Sequence, residues 1–374
     1  MAGKIRVGVI FGGRSGEHEV SIASATSVMN ALDRDKYELV PIGITPEGQW
    51  LAGVEPKQLA GGQSMDALAH DAGVTAVAMT GDPTRRGLIP SDATGARAHV
   101  PALDIVLPVL HGTYGEDGTL QGLLEMAGVP YAGCGVLGAA LGMDKEKAKL
   151  VFRASGLPVV DWLTVRQHEV NHDREAVLTR IERMFSYPIF AKPANTGSSV
   201  GVGKAHDRAE LAAVLRDALT YDVKVIVEPG LSVRELECAV LGNHEPIAST
   251  VGEVVPSGEF YDYRAKYVDN ASRLFIPAEV SAETLQEIRR MAIEAFLALD
   301  LSGLARVDFF FEKDTGKIYL NEVNTMPGFT QISMYPKLWE ASGIPYPELL
   351  DRLITLGLER HAERSQIRTA YSPE

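Results

Sequence analysis

The sequence predicts an α/β protein that opens with a parallel sheet and contains more than one domain. An apolar run at residues 4–11, helical spacing at 21–32 and a second apolar run at 37–44 form a β–α–β unit. The length of 374 residues exceeds that of one typical domain, which is about 150 residues. A strand–turn–strand pattern at residues 304–324 predicts a hairpin rich in carboxylates.

Composition narrows the class of protein and its partners. Hydrophobic residues make up 45% and charged residues 23% of the chain, which is typical of a globular protein with its own core. A net charge of −13 makes nucleic acids and anionic membranes poor partners. The two cysteines, Cys134 and Cys238, lack a CxxC partner, which favours a reducing compartment and no zinc site. We therefore expect a cytoplasmic protein with no nucleic-acid or membrane partner.

The remaining elements follow in chain order. Residues 103–110 are predicted to form a buried strand and residues 118–127 a helix that ends at Gly128. Residues 52–101 are rich in Gly, Ala, Asp and Pro and are expected to form an irregular insertion. The later elements are a helix at 145–154, a strand at 189–192, a Gly-Ser loop at 195–203, a helix at 207–218, a strand at 223–228, a polar aromatic loop at 257–272, and helices at 282–298, 338–341 and 346–358.

The hairpin carries the strongest local signal for chemistry. A turn centred near residues 314–316 places Asp308 opposite Glu322, and Asn324 shares a face with Glu322 because alternate strand residues point the same way. Like charges directly opposite each other destabilise a sheet unless something neutralises them. Three oxygen donors of this kind suit a hard cation such as Mg²⁺. A solvated acidic strand edge is the alternative.

Lys192 ends an apolar strand, and a Gly-Ser loop containing Gly197, Ser198 and Ser199 follows it. Backbone N–H groups and hydroxyls of such a loop bind phosphate oxygens, and the lysine adds a point charge. The order of a Walker A loop is absent. From this loop alone an ordinary flexible turn is the more common interpretation, and Lys145 alone fits a solvated lysine at the start of a helix.

Three further motifs are weaker. The loop after the first strand, residues 12–17, lacks GxGxxG, which counts against a Rossmann oxidoreductase. Glu17 at the next helix is equally explained by the helix dipole. His111 closes a buried strand, where a lone histidine is more often structural. The loop at 257–272 alternates aromatic and cationic residues and is typical of a binding loop or lid.

Taken together, these motifs resemble the D-alanine–D-alanine ligases of the ATP-grasp superfamily. They lie in the family order over most of the chain, which makes chance recurrence negligible. The matching segments are FGGRSGEHEVS (11–21), LHGTYGEDGTLQG (110–122), MDK (143–145), FAKPANTGSSVG (190–201), FYDYRAKY (260–267), ARVDFF (305–310) and NEVNTMPGFT (321–330).

The resemblance implies a three-domain ATP-grasp ligase whose N-terminal domain holds a parallel sheet. Residues 1–133 would form that domain on the side of the first D-alanine, and residues 134–228 the central domain. Residues 229–374 would form the C-terminal domain, with a mobile loop at 257–272 and the metal hairpin at 304–324. ATP would lie between the last two domains. A homodimer is implied by the family alone.

The resemblance also implies roles for individual residues. ATP would be bound by Lys145, Lys192, Ser199, Glu228, Leu231, Glu235 and Lys266, and magnesium by Asp308, Glu322 and Asn324. Substrate-binding residues would be His111 and Ser333, and catalytic residues Glu17, Ser198, Tyr267, Arg306 and Gly328. In this assignment Glu228 and Leu231 line the adenine pocket, while Arg306 and the Gly328 N–H stabilise an oxyanion. The chain departs from many relatives at Pro229-Gly230, where they carry a lysine.

The implied reaction is ATP-dependent ligation of two D-alanines to D-alanyl-D-alanine through a D-alanyl phosphate, for peptidoglycan precursor synthesis. The implied cofactor is Mg²⁺, or Mn²⁺ in its place, with ATP as co-substrate. A D-alanyl-D-lactate ligase of the same family and a non-catalytic ATP-binding sensor are the alternatives. The lactate-using branch lacks the Lys266-Tyr267 pair present here, and every metal and phosphate position of the family is filled, which disfavours a sensor.

Overall fold

A computed structural model describes residues 3–60, 73–85, 87–91, 102–255 and 273–368. Within them the chain forms three β-sheets of six, four and five strands, with helices packed against them. The predicted α/β class is therefore confirmed. The predicted mobile loop, including Lys266 and Tyr267, lies outside the described residues.

The first sheet combines parallel and antiparallel strands in the order β5-β4-β3-β2-β1-β6. Strands β2, β1 and β6 are parallel, as the β–α–β pattern predicted, and β3, β4 and β5 continue the sheet antiparallel. The strands are β1 (Ile5–Gly12), β2 (Tyr37–Ile44), β3 (Trp50–Ala52), β4 (Thr75–Met79), β5 (Leu88–Pro90) and β6 (Ile105–Pro108).

The expectation of an irregular insertion at 52–101 is wrong for its described part. Strands β4 and β5 add two strands to the sheet, and a short helix, α2 (Pro56–Ala60), precedes them. Strands of three to five residues contain too few alternations of apolar and polar residues to give a recognisable period, so the sequence analysis did not predict them. Two longer helices, α1 (His18–Ala31) and α3 (Thr119–Ala127), also belong to this part, and α3 ends at Gly128 as predicted.

The second sheet is antiparallel, in the order β7-β10-β8-β9. Its strands are β7 (Leu163–Arg166), β8 (Ile189–Pro193), β9 (Gly203–Ala205) and β10 (Lys224–Pro229). The helices of this part are α4 (Val136–Met143), α5 (Lys145–Ala154), α6 (Gln167–Met184) and α7 (Arg208–Tyr221). The sequence did not reveal α6, because it follows β7 directly, is mostly polar and departs from helical geometry at Asp173.

The third sheet is antiparallel, in the order β13-β12-β11-β14-β15. Its strands are β11 (Val233–Gly242), β12 (Ile247–Val255), β13 (Arg273–Phe275), β14 (Gly303–Glu312) and β15 (Ile318–Asn324). The accompanying helices are α8 (Ala282–Ala298), α9 (Met334–Ala341) and α10 (Tyr346–Ser365). The predicted hairpin is β14–β15, and α8 has the predicted bounds.

One hydrophobic cluster joins the first sheet to the helices at the other end of the described chain. Phe11 of β1 belongs to the same buried cluster as Trp339 of α9 and Leu350 of α10. Across the surface, Lys36 Nζ lies 2.5 Å from Asp351 Oδ2 of α10. The first sheet and the C-terminal helices are therefore one packed unit.

Both cysteines are buried free thiols, and burial raises the pKa of Cys134 to about 11 and that of Cys238 to about 12. They are thus protonated at neutral pH and poor metal ligands or nucleophiles. Across the described ranges, we find no helix with both the length and the hydrophobicity needed to cross a bilayer.

Candidate functional site

Residues of the second and third sheets line one cavity of about 740 Å³. Most of the predicted ATP, metal and catalytic residues meet there, although they come from distant parts of the chain. The predicted residues that line the cavity are Lys145, Lys192, Ser198, Ser199, Glu228, Leu231, Glu235, Arg306, Asp308, Glu322 and Asn324.

The acidic hairpin forms one wall of this cavity. Asp308 pairs directly with Glu322 across β14 and β15, as the turn position predicted. The Asn324 Nδ2 donates to Asp308 Oδ2 at 2.9 Å. Arg306 donates from Nε to Asp308 Oδ1 and from Nη2 to Oδ2, both at 2.7 Å. Asp308 is only 9% exposed, so the alternative of a solvated acidic edge is wrong.

Arg306 is held from a second side by Glu237, a buried residue of β11 that the sequence analysis missed. The Arg306 Nε lies 2.8 Å from Glu237 Oε2. Burial opposes the charge of Arg306, but Asp308 and Glu237 outweigh it and raise the pKa of Arg306 well above its usual value. The guanidinium is therefore charged and fixed in position before any ligand binds.

The donors on the hairpin fit a magnesium ion. The described residues contain no group of three or more His, Cys, Asp or Glu side chains arranged for a metal. The set here is instead two carboxylates, Asp308 and Glu322, with the Asn324 amide. Mg²⁺ is usually held by one or two carboxylates and keeps its other positions for water and substrate phosphate, which matches this set.

Lys192 and Glu228 also line the cavity, and Lys149 lies behind them. Lys192 Nζ lies 2.6 Å from Glu228 Oε2, and Lys149 Nζ lies 2.5 Å from Glu228 Oε1. Burial would raise the pKa of Glu228, yet the two ammonium groups outweigh it and lower the pKa to about 2. Burial likewise opposes the charge of Lys192, but Glu228 raises its pKa above the usual value.

Lys145 connects the Gly-Ser loop to the hairpin. Its Nζ donates to the Thr196 carbonyl at 2.7 Å and lies 3.4 Å from Glu322 Oε2. Asp144 caps α5 by accepting from the Lys147 N–H, which fixes the helix start at Lys145. With its side chain 14% exposed, Lys145 is not the solvated helix-end lysine that was the alternative.

The Gly-Ser loop also contacts Glu17, the first residue predicted on the amino-acid side. The Ser198 hydroxyl donates to Glu17 Oε1. A Cβ atom at Gly197 would lie 2.6 Å from Glu17 Oε2, and one at Gly112 would lie 2.7 Å from it, so both glycines allow the close approach. Ser198 and Ser199 have φ of 49° and 57°. Two successive left-handed serines are strained, and such strain concentrates at functional loops.

His111 is buried and links the end of β6 to the segment after the hairpin. Its Nε2 lies 3.1 Å from Ser24 Oγ and its Nδ1 lies 2.9 Å from the Met326 carbonyl oxygen. Burial lowers the pKa of His111, which keeps the ring neutral at pH 7. Its contacts are those of a positioning group, and substrate binding by His111 stays a prediction.

Glu116, which the sequence analysis did not assign to the site, lies beside the same segment and lines the cavity. Its Oε1 accepts from the Gly112 N–H at 2.8 Å and its Oε2 from the Met326 N–H at 3.2 Å. Burial, and then the charge of Glu17, raise the pKa of Glu116 to about 8. Glu116 therefore carries a proton at neutral pH.

Gly328 and Ser333 lie in the turn that follows. Ser333 Oγ accepts from the Thr330 N–H at 3.1 Å, and a Cβ at Gly328 would lie 3.2 Å from that oxygen. The neighbouring Phe329 N–H donates to Ser24 Oγ at 3.3 Å. This turn is thus held against α1, next to the segment that contacts His111 and Glu116.

Comparison with known proteins decides the family. Residues 6–134 match the family described as D-ala D-ala ligase N-terminus, and residues 151–355 match D-ala D-ala ligase C-terminus. The chain belongs to the D-alanine–D-alanine ligase family. A curated ligase of this name from Acetivibrio thermocellus is 50% identical over 367 residues, which cover 96% of this chain and 98% of the relative.

Solved structures of the ligase family share the fold along nearly the whole chain. The D-alanine–D-alanine ligase from Coxiella burnetii gives a TM-score of 0.84 at 37% identity, covering 98% of this chain and 97% of the other. The VanG D-Ala:D-Ser ligase from Enterococcus faecalis gives a TM-score of 0.83 at 36% identity, covering 95% of this chain and 100% of the other. The ATP-grasp fold implied by the motifs is therefore confirmed.

The residues that the sequence analysis missed are buried charged groups: Glu116 and Glu237 line the cavity, and Lys149 lies behind it. Lys149 follows Lys145 by four residues, a spacing that places both on one helix face and could have revealed it. Glu237 follows Glu235 by two residues on β11 and so shares its strand face. Glu116 had only the Glu116-Asp117-Gly118 motif to mark it.

Proposed function

We propose that this chain is a D-alanine–D-alanine ligase that joins two D-alanines at the expense of ATP, in the cytoplasm, for peptidoglycan precursors. The observation that supports it most is the cavity in which Lys145, Lys192 and the acidic hairpin converge. The names of the relatives supply the amino-acid substrate. A purely structural cluster of ion pairs would not need to line a cavity of about 740 Å³.

ATP would bind across this cavity. The triphosphate would lie between the ammonium groups of Lys145 and Lys192, under the Gly-Ser loop with Ser199, which all line the space. We place adenine against Leu231 near Glu228. The ribose would lie at Glu235, and Lys266 would approach the phosphates from the loop outside the described residues.

Asp308, Glu322 and Asn324 would hold Mg²⁺, or Mn²⁺ in its place. The ion supplies charge neutralisation on the phosphate oxygens and orients the transferred group. Arg306 already neutralises Asp308, and its second contact to Glu237 would keep the guanidinium in place when Asp308 turns toward a cation.

In the first step a carboxylate oxygen of the first D-alanine would attack the γ-phosphorus, and the bond to the β-phosphate oxygen would break to release ADP. Glu17 would hold the ammonium group of this D-alanine, and His111 would lie beside it. Positioning and charge stabilisation account for catalysis of such transfers. The product would be a D-alanyl phosphate, which the loop at 257–272 would shield from water if Tyr267 joined the pair of Ser198 and Glu17.

In the second step the neutral amine of the second D-alanine would attack the acyl carbon. The carbon–oxygen bond to phosphate then breaks, and inorganic phosphate leaves, taking up the proton that the amine loses. Arg306 and the Gly328 N–H would stabilise the oxyanion, each donor contributing about 3–4 kcal/mol. Ser333 would contact the carboxylate of this second D-alanine.

A coupled assay of ADP release tests the proposal. We expect release that depends on D-alanine and a divalent cation, with D-alanyl-D-alanine as almost the sole product when D-lactate or D-serine competes at pH 7. Tyr267→Phe should raise the depsipeptide fraction, most at lower pH where the amine is protonated. Chiefly depsipeptide or D-serine product from the wild type would overturn the acceptor assignment. Nucleotide binding without any turnover would favour the sensor.

Domain boundaries near residues 134 and 229 and a homodimer complete the proposal. The three sheets support the division, since each lies almost wholly within one of the three ranges. Light scattering on the purified protein measures the oligomeric state, and a mass of one chain of 40.4 kDa would exclude the dimer.

A further inference from the structure

Lys149 lies behind the proposed phosphate site. It is one helical turn after Lys145 on α5, and it is 2% exposed. Its ammonium group lies 2.5 Å from Glu228 Oε1 and donates to the Val160 carbonyl at 3.1 Å. Lys149 does not line the cavity, so it does not contact a ligand bound there.

Lys149, Glu228 and Lys192 together set the net charge of the part of the cavity wall that Lys192 forms. Lys192 faces the cavity, but its Nζ lies 2.6 Å from Glu228 Oε2, so the pair alone is neutral. Lys149 adds a second ammonium group to the same carboxylate. Burial lowers the pKa of Lys149, and Glu228 at 2.5 Å opposes this effect; with Lys149 protonated, the cluster Lys149–Glu228–Lys192 carries one net positive charge. All three groups are nearly enclosed by protein, with side chains 2%, 3% and 13% exposed, where solvent screens little.

We propose that Lys149 is a positioning residue that balances the charge of Glu228, so that Lys192 can offer a full positive charge to the phosphates of ATP. It acts through Glu228 rather than on the ligand. This inference rests on the proposed function, since it assigns a role within the same ATP site. The competing explanation is that Lys149 only fills the core beside Trp162, whose ring lies 5.6 Å from its Nζ.

Two partial ligands distinguish charge from packing. Magnesium tripolyphosphate carries the phosphate charge of ATP without adenine, and adenosine carries the base and ribose without phosphate. For Lys149→Met we expect affinity for tripolyphosphate to fall about tenfold, which corresponds to one unit charge near a buried site. Affinity for adenosine should change less than about twofold. Calorimetry on the whole chain measures both.

Lys149→Met/Glu228→Gln restores the net charge of one while it removes the buried ion pair. We expect tripolyphosphate affinity in this double variant to return to within about threefold of the wild type, because the glutamine oxygen still accepts from Lys192. Lys149→Arg keeps the charge and should stay within about threefold as well. Lys147→Met, on the exposed side of the same helix, is the control, and it should leave the affinity for both ligands unchanged.

The inference would be overturned if Lys149→Met lost the same affinity for tripolyphosphate as for adenosine, or lost affinity for neither. If that single variant does not fold, the double variant decides, since a tenfold loss of tripolyphosphate affinity in it would also overturn the inference. The wild type separates the two proposals. A wild type that neither binds tripolyphosphate nor releases ADP with D-alanine contradicts the ligase assignment itself.

Discussion

Asp308 and Glu322 lie directly opposite each other on β14 and β15, and their charges are balanced by Arg306 and Lys145. The proposed magnesium site would explain why both carboxylates line one cavity. We expect Asp308→Asn or Glu322→Gln to lower ADP release by about a hundredfold or more, because a divalent ion would lose one of its anionic ligands. Steady-state turnover at saturating magnesium measures the effect.

The turn of the same hairpin offers a matched control. Asp314 is exposed there, so Asp314→Asn removes one charge from the same element without touching the cavity. Its turnover should equal that of the wild type. Near-normal turnover in both cavity variants would return the acidic pair to a structural role.

Lys192→Ala should weaken nucleotide binding more than D-alanine binding. The ammonium group faces the cavity beside Glu228 and lies on the strand that leads into the Gly-Ser loop. Its removal also leaves Glu228 neutralised by Lys149 alone. We expect at least a tenfold loss of affinity for a non-hydrolysable ATP analogue, by the charge argument above. Calorimetry with that analogue provides the check, and unchanged affinity would contradict phosphate binding by Lys192.

Gly197→Ala should separate the Gly-Ser loop from Glu17. The added Cβ would lie 2.6 Å from Glu17 Oε2, closer than such atoms come in proteins, so either the loop or the Glu17 carboxylate must shift and their contact changes. We expect the KM for the first D-alanine to rise about tenfold while the affinity for an ATP analogue changes less. Gly122→Ala, where a Cβ meets open space, is the control. An unchanged KM for Gly197→Ala would show that the loop contact is dispensable.

Glu116 should make stability depend on pH with an unusual sign. Burial, followed by Glu17, raises its pKa from 4.5 to about 8, so between these values the folded protein binds more protons than the unfolded chain. The free energy of unfolding then falls as pH rises through this window, by up to about 1.4 kcal/mol per pH unit. The glutamine in Glu116→Gln does not titrate, so the free energy of unfolding of this variant should not show this decrease.

Urea denaturation from pH 5 to 9 tests the sign. The unfolding free energy of the wild type minus that of Glu116→Gln should decrease as pH rises to about 8 and level off above it. A difference that stays constant over this range would mean that Glu116 is ionised in the folded protein.

The elements predicted most accurately are those whose ends are marked by residues at the ends themselves. Helices α5 and α8 have the predicted bounds because Asp144 and Ser281 cap them, and a cap is visible as a residue type at a fixed place. The hairpin register followed from its turn. Its bulge after Asp308 did not, because an extra residue in one strand leaves no local pattern.

The part of the site that sequence could not supply is its buried charge pairing. Glu228 meets Lys149, and Glu237 meets Arg306, across sequence separations that no local spacing encodes. Single lysines and glutamates are ordinarily exposed, so their composition gave no reason to bury them. The motifs located most of the residues that line the cavity, whereas the buried partners that pair with them could be found only from three-dimensional packing.

The cluster that joins Phe11 to Trp339 and Leu350 has a consequence for synthesis on the ribosome. The first sheet leaves the exit tunnel long before helices α9 and α10, which complete the apolar cluster on one of its faces. Until α9 and α10 have emerged, part of the apolar face of the first sheet stays exposed, and exposed apolar surface is prone to binding by chaperones. Ribosome-bound chains stalled before residue 334 should therefore be cleaved by protease within the first sheet, whereas released protein should resist.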